Sequence, residues 1–112
     1  MTQFQLSCVI MTIQIQTTVD SEEEVRRIAK KLIELNYAAC VQFFPIKSIY
    51  RWKEQIEESE EYLLLIKSTL KNKDKIIAFL EKEHAYELPE IMVTSLDYVS
   101  KEYSKWVEEE TN

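Results

Sequence analysis

A chain of 112 residues is one domain by length, and 46% apolar with 11% aromatic residues suffice to bury a single core. Fourteen basic residues against twenty acidic ones leave a net charge of −6, a field that repels phosphate backbones and disfavours a nucleic-acid partner. Met1 to Ser7 carries no Lys or Arg, and the apolar stretch after it is broken by Thr12, Gln14 and Gln16, so the reading is a cytoplasmic protein with neither signal peptide nor membrane span.

Val9, Met11, Ile13 and Ile15 alternate with polar residues at the period of a strand with one buried face. Residues 1–11 read as an N-terminal extension that lengthens this strand or frays, and 12–112 as the domain itself. Ser21 and Glu24 have capping-box spacing, and Val25, Ile28, Ala29, Leu32 and Leu35 recur at helical spacing, which predicts a helix from about Glu22 to Asn36. Ala39 to Trp52 reads as one long strand with a bulge or bend at Pro45 near a sheet edge, because proline cannot donate to a ladder. Lys53 to Glu61 contains five glutamates and reads as a solvated turn. Tyr62 to Thr69 is apolar on both faces at Leu63 to Ile66, the pattern of a strand covered on both sides. A second helix follows Asn72, with Ile76, Ile77, Phe79 and Leu80 turned inward. Pro89 closes the next loop and Ile91 to Leu96 forms a fourth strand. Ser100 caps a short helix carrying Tyr103, Trp106 and Val107, ahead of a glutamate tail at 108–110.

The order βαββαβ plus a terminal helix predicts an α+β fold, a ferredoxin-like sandwich with two helices on one face of a four-stranded antiparallel sheet. The other face is left uncovered, and its strands put apolar or aromatic residues there, which marks an interface. Burying ~500 Å² of it would contribute roughly 12 kcal/mol before association entropy.

The chain has no glycine, so it contains no G-x-S-x-G elbow, no Rossmann loop and no P-loop, and its tight turns must use other residues. An acylphosphatase-like anion cradle after the first strand is disfavoured by Asp20. Cys8 and Cys40 lack C-x-x-C spacing and read as reduced, largely buried thiols. The stretch from His84 to Glu90 concentrates the single imidazole, a phenol, two carboxylates and a proline. Three readings of His84 stand side by side: a metal ligand, a general acid or base, or a cap on the helix C-terminus. Lys67 interrupts an apolar strand, so its ammonium reaches a rim or pairs with a buried acid; with His84 it could form an acid–base pair, though nothing identifies a substrate. Trp52, Tyr103 and Trp106 read as core or interface aromatics rather than base-stacking platforms.

Ala39-Cys40-Val41, Ser48 to Lys53, Glu61 to Lys67, His84-x-Tyr86-Glu87-x-Pro89-Glu90-Ile91 and Tyr103-x-x-Trp106 together resemble, in order, the motif set of CutA divalent-cation tolerance proteins. The resemblance spans about Ile13 to Glu109. It implies a ferredoxin-like trimer joined by the long second strand and the C-terminal segment, and a cytoplasmic, non-enzymatic role in tolerance of divalent cations, copper in particular. The pattern's copper residues are incompletely matched. Thr17 stands where a cysteine is expected and Glu83-His84 where two histidines are, so only His84 carries over, helped by Glu83, by Glu87 or by copies around a trimer. No obligatory cofactor is implied, and Cys40, Pro89, Tyr103 and Trp106 take structural roles. Glu54 replaces the glycine of the family turn, at roughly 1 kcal/mol or more if it adopts positive φ. The alternative function is a trimeric small-molecule-binding or signalling module in the manner of PII-like proteins. Its inter-subunit pocket would draw on Lys67, Tyr86, Glu90 and Trp52, with His84 nearby.

Overall fold

A computed structural model describes residues 11–112. Its elements are β1 (Thr12–Val19), α1 (Glu22–Glu34), β2 (Cys40–Trp52), β3 (Gln55–Thr69), a 3₁₀ turn (Leu70–Asn72), α2 (Lys73–Glu83), β4 (Ile91–Ser95) and α3 (Lys101–Glu110). The sheet order is β2-β3-β1-β4 with every pair antiparallel, which is the ferredoxin-like topology. Val9 and the remainder of residues 1–10 lie outside the described residues.

The caps follow the sequence. The Ser21 hydroxyl accepts from the Glu24 amide to open α1, and the Ser100 hydroxyl accepts from the Tyr103 amide to open α3. Helix α1 closes on Asn36 at φ 60°, with the Asn36 amide donating to Ile33 and the Tyr37 amide to Leu32. That is a Schellman motif in which asparagine takes the left-handed position glycine usually fills.

Register assigns the faces. Ile13 and Ile15 on β1 and Leu64 and Ile66 on β3 point to one side, where Val25, Ile28 and Leu32 of α1 and Ile76 and Leu80 of α2 meet them. All nine are essentially inaccessible to solvent and form the core. Thr17 shares this face, and its buried hydroxyl has no hydrogen-bond partner among the described residues.

The opposite face carries the rows Gln42-Leu65-Gln16-Met92 and Cys40-Lys67-Gln14-Thr94. It is therefore mixed rather than apolar throughout, and Leu63 and Leu65 are half-buried instead of covered. Three of its polar members are engaged. The Lys67 Nζ donates to Gln42 Oε1 at 2.6 Å, and Gln16 Nε2 donates to Glu90 at 2.8 Å. One end of this face does have a cover. Helix α3 lies there, with Val107 buried, a 2.8 Å hydroxyl contact between Thr12 and Ser104, and Asn72 Nδ2 donating to the Thr111 carbonyl. Glu108, Glu109 and Glu110 belong to this helix and are not a separate tail.

Two expectations for the β2–β3 hairpin are corrected. Pairing runs one-to-one from Cys40 opposite Lys67 to Trp52 opposite Gln55, so Pro45, opposite Tyr62, makes no bulge. Strand β2 is the edge, where a missing N–H donor costs nothing if it faces outward. Lys53–Glu61 is not a solvated turn: only Lys53 and Glu54 turn, at φ 50° and 68°, and Gln55–Glu61 is strand. Two successive positive φ values are the geometry of a type I′ hairpin, whose twist suits the flanking strands well enough to impose itself on non-glycine residues. Because β1 ends at Val19 opposite Tyr62, seven residues of each hairpin strand run on as a two-stranded ribbon, about 23 Å at 3.3 Å per residue. This ribbon makes the molecule 58 Å long and 26 Å wide.

Candidate functional site

Helix α2 delivers the loop His84 to Glu90 to the point where the ribbon leaves the sheet. The His84 amide makes the last helical bond, to Leu80, and an extended ψ of 138° then turns the chain outward. The ring reaches across to β1: Nε2 lies 2.7 Å from the Thr18 carbonyl, while the Tyr86 amide donates to Nδ1 at 3.1 Å. A carbonyl only accepts and an amide N–H only donates, so these partners define the tautomer with hydrogen on Nε2. His84 thus ties the loop to β1 instead of capping the free carbonyls of its own helix.

Two further bonds complete the attachment. The Tyr86 hydroxyl donates to Glu61 Oε2 at 2.9 Å, and Glu90 accepts from Gln16. Burial, and then the hydrogen bond and charge of Glu61, push the Tyr86 phenol well above the ordinary tyrosine range. Behind the loop, Arg27 of α1 donates to the Glu83 carboxylate at 2.8 Å and to the Glu83 carbonyl at 3.0 Å, and also grips Glu24. Its hydrogen bond holds the Glu24 carboxyl below the usual carboxylate range.

Between this loop and the ribbon lies a cleft of about 800 Å³. Three of the four residues expected in an inter-subunit pocket, Trp52, Tyr86 and Glu90, line this cleft within one chain together with Glu87. The fourth does not. Lys67 is four residues from Leu63, the partner of Thr18, which places it roughly 13 Å further along β3. Its ammonium is exposed, as the rim reading expected, and it donates to the neutral amide of Gln42 rather than to a buried acid or to His84. Tyr50, Glu61 and Asp20 also line the cleft. Glu61 is not legible as a site residue in the sequence, because its segment reads as a turn until the register of the hairpin is known.

Of the residues given structural roles, Pro89 sits half-buried in the loop and Cys40 is half-buried rather than sequestered. Tyr103 and Trp106, at 37% and 40% exposure, are not core; they pack on each other with ring centres 5.6 Å apart. Cys8 lies outside the described residues. The donors do not fit a copper or zinc centre within one chain. Both nitrogens of His84 are engaged, Glu83 is held by Arg27, and among the described residues no three side chains of His, Cys, Asp or Glu converge.

Residues 13–110 match the family described as CutA1 divalent ion tolerance protein. Divalent-cation tolerance protein CutA of Thermus thermophilus is 41% identical over 95 residues, covering 84% of this chain and 92% of the relative. The protein of the same name from Archaeoglobus fulgidus is 35% identical, with 85% and 93% covered. Among solved structures, the Archaeoglobus protein, described as periplasmic, superposes with a TM-score of 0.88 at 33% identity, covering 91% of this chain and all of that one. The Thermus protein gives 0.86 at 39%, with the same coverage.

Proposed function

This chain belongs to the CutA1 family of divalent ion tolerance proteins, and on that premise we propose that it works as a homotrimer, without catalysis, in the response to divalent cations such as copper. The observation that carries the assembly is the ribbon. A two-stranded hairpin in water is marginal by itself, yet here it extends seven residues beyond any third strand and exposes Ile49 and Ile56, each at 70%, and Tyr50 at 44%. Neighbouring copies lying along the ribbon and the exposed sheet face would supply the missing cover, and three is the copy number implied by the family resemblance.

A non-enzymatic role is supported by the engagement of both His84 nitrogens and by the separation of Lys67 from that ring. Direct metal binding is correspondingly weak in this reading, because a metal at His84 must displace the Thr18 carbonyl or the Tyr86 amide. A cytoplasmic location goes with it, whereas the Archaeoglobus relative is described as periplasmic. Light scattering and elemental analysis of untagged protein exposed to stoichiometric copper and zinc test the assembly and the strength of metal binding. A mass three times that of the chain with little retained metal is expected. A monomer would defeat the assembly, and stoichiometric metal lost in His84→Ala would replace the weak-binding reading with a true metal site.

The cleft favours a second, compatible reading, a ligand-responsive module, because Trp52, Tyr86 and Glu90 converge on one concavity. Cell fractionation with and without copper stress would locate the protein for either role.

A further inference from the structure

The cleft between the ribbon and the loop has an unusual charge balance. Five carboxylates line it, those of Asp20, Glu60, Glu61, Glu87 and Glu90, against the single guanidinium of Arg51. None of the five is in an ion pair, since the ion pairs among the described residues all involve Arg26 or Arg27 of α1. Two of them are instead positioned by neutral donors, Glu61 by the Tyr86 hydroxyl and Glu90 by the Gln16 amide. A neutral donor orients a carboxylate without cancelling its charge, so the cleft keeps a net negative potential concentrated by its concave walls.

Those charges are not arranged for a metal ion. Among the described residues no three acidic, histidine or cysteine side chains come together as ligands. The same cleft is lined by the aromatic residues Tyr50, Trp52 and Tyr86. Trp52 already accepts a cation on its ring, with the Lys53 ammonium 5.7 Å from the centroid. Several carboxylates outside any ion pair and aromatic walls in one cleft suit a ligand with more than one ammonium group joined by methylene segments: the charges meet carboxylates and the linkers lie on rings.

We propose that this cleft binds a linear organic di- or polyamine, with Glu61 and Glu90 as the principal anionic contacts and Trp52 and Tyr86 as the walls. The inference rests on reading the cleft as a ligand site and adds the chemical class of the ligand. It is independent of metal binding at His84.

The test is calorimetric titration of the full chain with spermidine at low salt, read alongside the Trp52 indole signal by NMR. Charge-assisted contacts of this kind are worth enough that Glu61→Gln and Glu90→Gln should each weaken binding by about tenfold, while Glu110→Gln, on α3 and outside the cleft, should not. Glutamine preserves the acceptor for Tyr86, and circular dichroism checks that the fold is retained. A neutral diol of similar length and magnesium chloride at equal charge should leave the Trp52 signal unmoved. Equal weakening by Glu61→Gln and Glu110→Gln, or competition by magnesium at equal charge, would reduce the effect to general acidity and overturn the proposal. If spermidine is inert but neutral or anionic metabolites shift Trp52, the polyamine class is wrong and the ligand site survives; if no probe shifts it, both readings fall.

Discussion

Tyr86 shows how one side chain can serve fold and site together. Its amide completes the bonding of His84, and its hydroxyl donates to Glu61 across the cleft. Burial and the Glu61 charge raise its folded-state pKa above the ordinary value of about 10. For a group raised on folding, the stabilisation is complete below the unfolded pKa and is lost as pH rises toward the folded one. Stability should therefore decline above about pH 10 as the unfolded chain gains a phenolate the native state resists. Tyr86→Phe should flatten that decline in alkaline denaturation, and a spectrophotometric titration of the variant should lack one late phenolate. An unchanged alkaline limb would mean that the Tyr86–Glu61 bond is not formed in solution. The identity of this loop as the place of interest was legible from residue types alone. The part His84 plays was not, because its ring partners are Thr18, 66 positions away, and a backbone amide.

At the scale of elements, the hairpin is where local preference and tertiary pairing conflict. Glutamate has weak strand propensity, and five of them after Trp52 suggest a solvated turn. The ladder from Cys40–Lys67 to Trp52–Gln55 overrides that preference by pairing every residue. The override has a local cost, since Lys53 and Glu54 sit at positive φ without glycine. Glu54→Gly should stabilise the chain by about 1 kcal/mol, read as a higher denaturation midpoint with unchanged slope. A destabilised variant would show that the turn is not type I′ in solution. Elsewhere local signal and structure agree. The Ser21 and Ser100 caps, the edge position of the proline-bearing strand and the short β4 form as their sequences indicate, and so do the inward stripes of both long helices except at Leu35, which is exposed past the end of α1, and Ile77, which lies outside the core.

For the molecule as a whole, the two sheet faces predict different responses to the same truncation. Ile66 lies in the core, so Ile66→Ala should cost about 3 kcal/mol at any protein concentration. Leu65, its neighbour on β3, is half-buried on the open face. If copies cover that face, Leu65→Ala should lower the melting temperature chiefly at low protein concentration, where dissociation competes. A dilution series of melting curves distinguishes this from a surface substitution with little effect at all concentrations.

Periodicity, capping residues and the spacing of apolar positions determined the element order and hence the α+β sandwich, because those signals act within a turn or a strand. Composition likewise ruled out glycine-dependent phosphate loops and disfavoured nucleic acid. What needed the tertiary structure was whatever depends on register. The pairing of β2 with β3 turned a glutamate-rich segment into strand, brought Glu61 to the Tyr86 hydroxyl and set Lys67 apart from the cleft within one chain. A strand repeats every two residues, so the sequence pattern specifies which face a side chain occupies; only cross-strand pairing specifies how far along that face it lies.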